Sequence, residues 1–168
     1  MKANPITKEE IAELKTLYEY RDGELWYLRT WGKTIAGAAV KYISRGGYKR
    51  INHNKKTYLV HRIIFLLVNG EWPDTVDHID GNKLNNHISN LRAATITQNN
   101  CNRAINKNSS SGIKGVCWHK GAKKWRVQIR VDGIKKALGL FSSIEEAKSC
   151  IEKARQQYHG DYASDGYR

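Results

Sequence analysis

The sequence predicts an α+β chain of two modules, and three observations carry that prediction. Capping boxes open two helical runs, Thr7 with Glu10 and Ser143 with Glu146. Short alternating stretches of Tyr, Val, Ile and Trp, broken by Gly and Asn, read as strands and hairpins. Between them, Arg103–Gly112 is polar, has three serines in a row and shows no periodicity. The expected division is residues 1–104, a linker over 105–112, and residues 113–168.

Taken in order, Thr7 caps a helix that carries Ile11, Leu14 and Tyr18 at helical spacing. Between Glu24 and Glu71 there is no acid but nine bases, among them Arg45, Lys49, Arg50 and Lys55, interleaved with Trp31, Tyr42, Tyr48 and Tyr58. A basic, β-rich extension of this kind suits a groove of duplex DNA. Val60–Asn69 is apolar on most sides except His61 and Arg62, which predicts a short buried helix ended by Asn69-Gly70. His61 on such a helix reads as a structural residue.

Val76–Asn82 reads as a strand ending in an Asp80-Gly81 turn, and Leu91–Thr95 as the returning strand. Thr97 is the expected cap of a following helix from Gln98 onward. In the second module, Gly115–His119, Lys124–Val131 and Lys135–Phe141 predict a three-stranded antiparallel sheet, with Asp132-Gly133 as a hairpin turn. Trp125, Val127, Ile129 and Val131 make its apolar face, while Arg126, Gln128 and Arg130 make the other. The helix from Ser143 would cover the apolar face with Ile144, Ala147, Ile151, Ala154 and Tyr158, and Gly160 ends it.

Composition limits the function classes. The 168 residues are 40% hydrophobic and 27% charged, enough for packed cores, and the longest apolar run, Ile63–Val68, is too short to span a bilayer. The polar, acidic start Met1–Glu10 does not read as a secretory leader. Three cysteines without a CxxC pair argue against a disulfide framework and against a structural zinc, and they fit a reducing cytoplasm. Twenty-nine Lys and Arg against 16 Asp and Glu give a net charge of +13. Both modules are basic, 16 bases against 10 acids before residue 105 and 13 against 6 after it. A polyanionic partner follows, and duplex DNA fits better than RNA because a three-stranded basic sheet matches its groove.

The chemistry concentrates at Asp77-His78. The two side chains leave a strand end on opposite sides, and Asn99 and Asn100 lie on the first turn of the helix expected to pack nearby. A carboxylate plus an amide oxygen is a sparse, hard-oxygen donor set that suits Mg²⁺. A neutral imidazole beside it can take a proton from an attacking water. Together these parts suffice for metal-assisted phosphodiester hydrolysis.

The run V-D-H-I-D-G-N-K-L-N-N-H-I-S-N-L-R…T-Q-N-N, preceded by V-H-R, resembles the HNH nucleases, particularly the phage-type homing endonucleases, over residues 58–103. The resemblance implies a ββα-metal core, with His78 as general base, Asn90 bracing the loop that holds it, and Asp77 and Asn99 as metal ligands. Asn99 stands where most of the family has His; Asn100 and His87 compete for the ligand role. Mg²⁺ is the implied cofactor, with Mn²⁺ as the alternative, and the family's zinc-stapled branch needs two CxxC pairs that this chain lacks. Implied too are double-stranded DNA as substrate, 5′-phosphate and 3′-hydroxyl products, and a phage-encoded protein working in the bacterial cytoplasm. One active site per chain suits a nicking monomer, whereas a homodimer on DNA would break both strands.

G-V-C-W…K-W-R-V-Q-I-R…L-G-L-F-S-S-I-E-E-A resembles the Apetala/ethylene-response-factor DNA-binding domain over about residues 111–163. That likeness implies a sheet in the major groove, with contacts from Lys114, His119, Gln128, Arg130 and Lys135; Ala137 stands where the plant domains carry a DNA-touching tryptophan. Arg126 joins this set through the strand alternation. The other reading of the whole chain is a DNA-binding regulator with an inactive HNH core.

Overall fold

The computed structural model describes residues 6–101, 105 and 108–163, and contacts divide the chain into two compact units, 1–93 and 94–168. The Ser-rich stretch lies within the second unit, and its residues 103, 104, 106 and 107 are outside the described residues.

In the first unit, α1 (Lys8–Leu17) starts on the expected capping box, with both reciprocal bonds between Thr7 and Glu10 present. It runs directly into β1 (Tyr18–Arg21), which pairs antiparallel with β2 (Glu24–Tyr27). The Asp22-Gly23 turn between them has φ values of 43° and 80°, the geometry that matches the twist of a tight hairpin. A second hairpin joins β3 (Arg50–His53) to β4 (Lys56–Leu59).

The basic segment between these hairpins departs from the expected ribbon. Residues 28–49 hold only isolated bridges, Trp31↔Thr34 and Ile43↔Lys49 among them. Ile35, Tyr42 and Ile43 are exposed and only Val40 is fully buried, so the segment has no continuous apolar face and no ladder to stabilise it as a ribbon.

Helix α2 (Val60–Asn69) is the centre of the first unit. Val60, Ile63, Ile64 and Leu66 are fully enclosed and pack with Leu14, Tyr18, Leu25, Val40 and Ile51. Gly70 ends the helix in the left-handed region at φ 79°, donating its N–H to Leu66 O. Arg62 leaves this core sideways, donating to Pro73 O at 2.8 Å and stacking on the Trp72 ring. Strand β5 (Thr75–His78) follows and pairs with β6 (Leu91–Ala94), a short 3₁₀ turn at Ile88–Asn90 leading into the latter.

In the second unit, α3 (Ile96–Cys101) is capped by Thr95, not by Thr97. Thr95 Oγ1 accepts from Gln98 N while Thr95 N donates to Gln98 Oε1, a complete capping box two residues earlier than expected. The sheet β7 (Val116–His119), β8 (Lys124–Val131), β9 (Ile134–Phe141) is antiparallel in that order, and α4 (Ile144–His159) covers one face. Val116, Val127, Ile129, Ala147, Ile151 and Ala154 form its core.

Two details of α4 differ from expectation. Ser143 caps the helix, but its hydroxyl donates to Glu145 rather than being matched by Glu146. Tyr158 is partly exposed under the Lys136 ammonium, and Arg155 is buried in the inward row instead, donating to Lys114 O.

Gly115 is a local pivot of this unit. Its φ is +85°, its carbonyl accepts from Gln128 N, and a Cβ there would stand 2.7 Å from Gln128 O. Gly115→Ala is expected to destabilise the unit by about 2–3 kcal/mol, because it adds left-handed strain to a clash with backbone that cannot yield. Urea unfolding followed by Trp118 and Trp125 fluorescence checks this.

Candidate active site

The site forms where β5 ends. Along the strand Val76 and His78 share one face and Asp77 takes the other, yet all three are enclosed because both faces are covered. Val76 joins the core around α2. Asp77, 4% exposed, faces β6, where Arg92 donates to its Oδ2 from Nε at 3.0 Å and from Nη2 at 2.8 Å. The carboxylate is thus held by a cation before any metal is considered.

His78 is 5% exposed and sits in a nest of rings. The His61 ring from α2 meets it nearly edge-on, 4.7 Å between centroids, and the Tyr48 ring lies 6.0 Å from His78 and 5.4 Å from His61. Its Nε2 is 3.0 Å from Asn86 Oδ1. Tyr48 carries the Lys83 ammonium on its face at 4.7 Å, and Lys83 also donates to Gly46 O. The basic segment before β3 therefore builds one wall of the site.

The loop from Ile79 to Asn90 is tied to Asn90. Its side-chain Oδ1 accepts from Asp80 N at 3.0 Å, and its Nδ2 donates to Asp80 Oδ1 and to Asn85 O. Its carbonyl accepts from Ile79 N. Burial works to raise the Asp80 pKa, but side-chain bonds from Asn85 and Asn90 and the Asn82 N–H outweigh it and hold the carboxyl below its usual range. On the outer side, Tyr20 Oη accepts from Ile88 N, which docks the first hairpin against the loop.

Burial pushes the His61 imidazole down to about 3, with the nearby His78 and Arg62 adding to the effect. The unfolded chain takes up this proton below about pH 6.5, while the folded chain stays neutral until far lower. Stability should therefore fall as pH drops from 6.5 toward 3, by up to about 1.4 kcal/mol per pH unit from this residue. Urea midpoints across that range, compared with His61→Gln, should show a flatter acid limb in the variant.

The other expected site residues are scattered. Asn99 lies in α3 of the second unit with its N–H on Thr95 O, and Asn100 beside it is exposed. His87 is an exposed loop residue bonded to Ser89 Oγ. Arg45 and Lys55 are exposed in turns, and Arg50 lies against the Tyr42 ring with Nη2 on its hydroxyl. Lys49 has its side chain largely covered and bound to the Glu24 carboxylate at 2.6 Å, so its charge is used inside the first unit. In the second unit, Arg126, Gln128, Arg130 and Lys135 share the sheet face opposite α4, with Arg130 directly across from Lys135. Lys114 is half-buried, and His119 accepts from Ala122 N through Nδ1. The sequence alone assigned no site role to Asn86, Arg92 or Tyr48; an arginine on the strand opposite Asp77 was the one signal available.

The HNH endonuclease family matches residues 58–101, which contain the end of β4, then α2, β5, β6 and α3. Protein 3.8 of Escherichia phage T7 is 35% identical over 88 residues, 52% of this chain and 72% of that protein. The chain belongs to the HNH endonuclease family. Within the family it is also similar to the mimivirus protein named "Uncharacterized HNH endonuclease L560", at 32% identity over 126 residues, 73% of this chain and 64% of that one. YosQ, of SPbeta prophage origin in Bacillus subtilis strain 168, has a name that includes the words HNH homing endonuclease; it is 38% identical over 85 residues, 44% of this chain and 49% of its own. No solved structure matches the chain. The HNH match embraces Asp77, His78, Asn90 and Asn99, but it stops short of the sheet β7–β9. Among the described residues no helix of this HNH endonuclease is long and apolar enough to cross a membrane.

Proposed function

We propose that the chain is a Mg²⁺-dependent, site-specific endonuclease of the homing type that hydrolyses phosphodiesters of double-stranded DNA. The observation that carries this reading is His78: an imidazole held at the end of β5, next in sequence to a buried carboxylate and leading into a loop pinned by Asn90, inside the family match.

In this reading His78 takes a proton from water as the water oxygen attacks phosphorus. The bond from phosphorus to the 3′ oxygen breaks in line, leaving a 5′-phosphate and, after protonation, a 3′-hydroxyl. Asn90 holds the loop so that the base keeps its place. Asp77 and Asn99 are the residues that would hold the ion. The fit rests on the donor chemistry, a carboxylate and an amide oxygen, which suits Mg²⁺ or Mn²⁺; an ion at Asp77 would share that carboxylate with Arg92. When bound, the ion would offset the charge that develops on the phosphate and the leaving oxygen.

Binding energy and site choice come from elsewhere in the chain. The Apetala-like sheet, with Arg126, Gln128, Arg130 and Lys135 on one face and Lys114 and His119 near it, would read the DNA. Arg45, Arg50 and Lys55, in the first unit, would hold phosphates. Lys49, bound to Glu24, is left out of that set. The protein would act in the cytoplasm of a phage-infected bacterium, as a nicking monomer or a double-strand-cutting homodimer.

The test is a supercoiled plasmid carrying candidate host sequence, incubated with the full chain in Mg²⁺ or EDTA. Relaxed or linear product only with Mg²⁺ supports the reading. Tight, specific binding without cleavage would replace it with the regulator reading, in which the Asp77–Arg92 pair is permanent.

A further inference from the structure

We infer that Asn86 is a positioning residue that fixes the His78 tautomer, placing the ring proton on Nε2 and the accepting lone pair on Nδ1. The inference rests on the endonuclease reading of His78 for its consequence, but not for its geometry.

Asn86 is 2% exposed, and its Oδ1 lies 3.0 Å from His78 Nε2. An amide oxygen only accepts, and a neutral imidazole has a single N–H to give. The contact therefore puts that proton on Nε2, and Nδ1 is left as the basic nitrogen. The other end of the amide, Nδ2, is buried with no hydrogen-bond partner among the described residues. A buried amide with an orphaned N–H₂ is costly, and a packed apolar side chain would avoid the cost. What the amide provides in return is the one bond to His78.

The surroundings hold Asn86 in this role. Its backbone N–H donates to Leu84 O, and the carbonyl just before it, Asn85 O, is gripped by Asn90 Nδ2 at 2.8 Å. Asn90 thus anchors the peptide that carries Asn86. Around the ring, His61 and Tyr48 restrict tilt, so the histidine is constrained in its plane by packing and in its tautomer by Asn86. As Nδ1 receives the proton from water, Nε2–H stays bonded to Asn86 Oδ1, which steadies the imidazolium. An amide cannot take the second proton, so Asn86 orients the base and relays nothing.

The experiment uses the full chain with ¹⁵N-labelled histidine. His78 is assigned by its absence in His78→Ala, and kcat and KM are measured on the same plasmid. The expected result is an Nε2 resonance of the protonated, pyrrole type and an Nδ1 resonance of the pyridine type. Asn86→Ala should give mixed tautomers and lower kcat by about 10–100-fold with KM for DNA unchanged. Asn86→Asp offers only oxygens, so it should restore the Nε2–H tautomer and recover most of the lost kcat. An Nδ1–H tautomer in the wild type overturns the inference. So does an Asn86→Asp chain in which the tautomer swaps, because that means the amide nitrogen faces the ring. A fall in kcat with unchanged tautomer in Asn86→Ala also overturns it, leaving a structural role. If Asn86→Ala does not fold, the wild-type and Asn86→Asp spectra decide alone. A wild type with the expected tautomer that never cuts DNA refutes the endonuclease reading and not the assignment of the proton.

Discussion

His78→Ala is expected to lower DNA cleavage by about 10²–10⁴-fold, the usual contribution of a general base, while leaving affinity for the same DNA within about twofold. The proposed chemistry and the proposed binding face belong to different units. His78 is 5% exposed in a ring nest on the first unit, whereas the sheet face with Arg126, Gln128, Arg130 and Lys135 belongs to the second. On the proposed reading, removing the imidazole takes away the proton acceptor and leaves the cationic contacts in place. Single-turnover cleavage paired with a filter-binding titration separates the two effects. Equal losses in both would mean that His78 binds DNA and does not act on it.

The second large effect is expected at Arg92. Arg92→Met strands the buried Asp77 carboxylate without its cation, and breaking such a pair from one side costs about 3–5 kcal/mol. The double variant Asp77→Leu/Arg92→Met should recover most of that stability, because it removes both charges and returns apolar volume. Millimolar Mg²⁺ should raise the melting temperature of Arg92→Met more than that of the wild type, since a cation at Asp77 takes over the missing charge. Thermal unfolding of the three chains with and without Mg²⁺ checks each point. An Mg²⁺ effect that is equal in all three would remove Asp77 from the metal site.

Much of the architecture was legible because local chemistry and burial agree. The Thr7 box, the Gly70 terminus and the Asp132-Gly133 turn each act within a few residues, and alternation in β8 matches a sheet covered on one side. Asp22-Gly23 is an equally strong hairpin signal, yet β1 and β2 were not read from it, because Tyr18 to Tyr27 lacks clean alternation. Residues 28–49 failed in the opposite sense: their apolar residues suggest strands, but no partner strand is in register to receive them. At the site, Asp77 and His78 stand out in the sequence as a carboxylate and an imidazole at a strand end, and Asn90 enters through the family resemblance. Asn86 and Arg92 do not, since one depends on how a loop folds back and the other on cross-strand register. Nor could sequence tell Lys49 from its neighbours, because only the fold brings Glu24 within reach.

Gly23 has a bearing on how this nuclease can be handled as a part. A Cβ there would stand 3.3 Å from His87 N, so the turn of the first hairpin lies directly on the loop that carries Asn86 and leads to Asn90. Tyr20 adds a bond from the same hairpin, and Leu14, Leu17, Tyr18 and Leu25 fill the core under α2. The segment shared with the family begins at residue 58, but the scaffold that gives it shape begins some fifty residues earlier. A transplant of residues 58–101 onto another DNA-binding protein would bring the chemical letters without their frame. The portable cassette has to begin before α1.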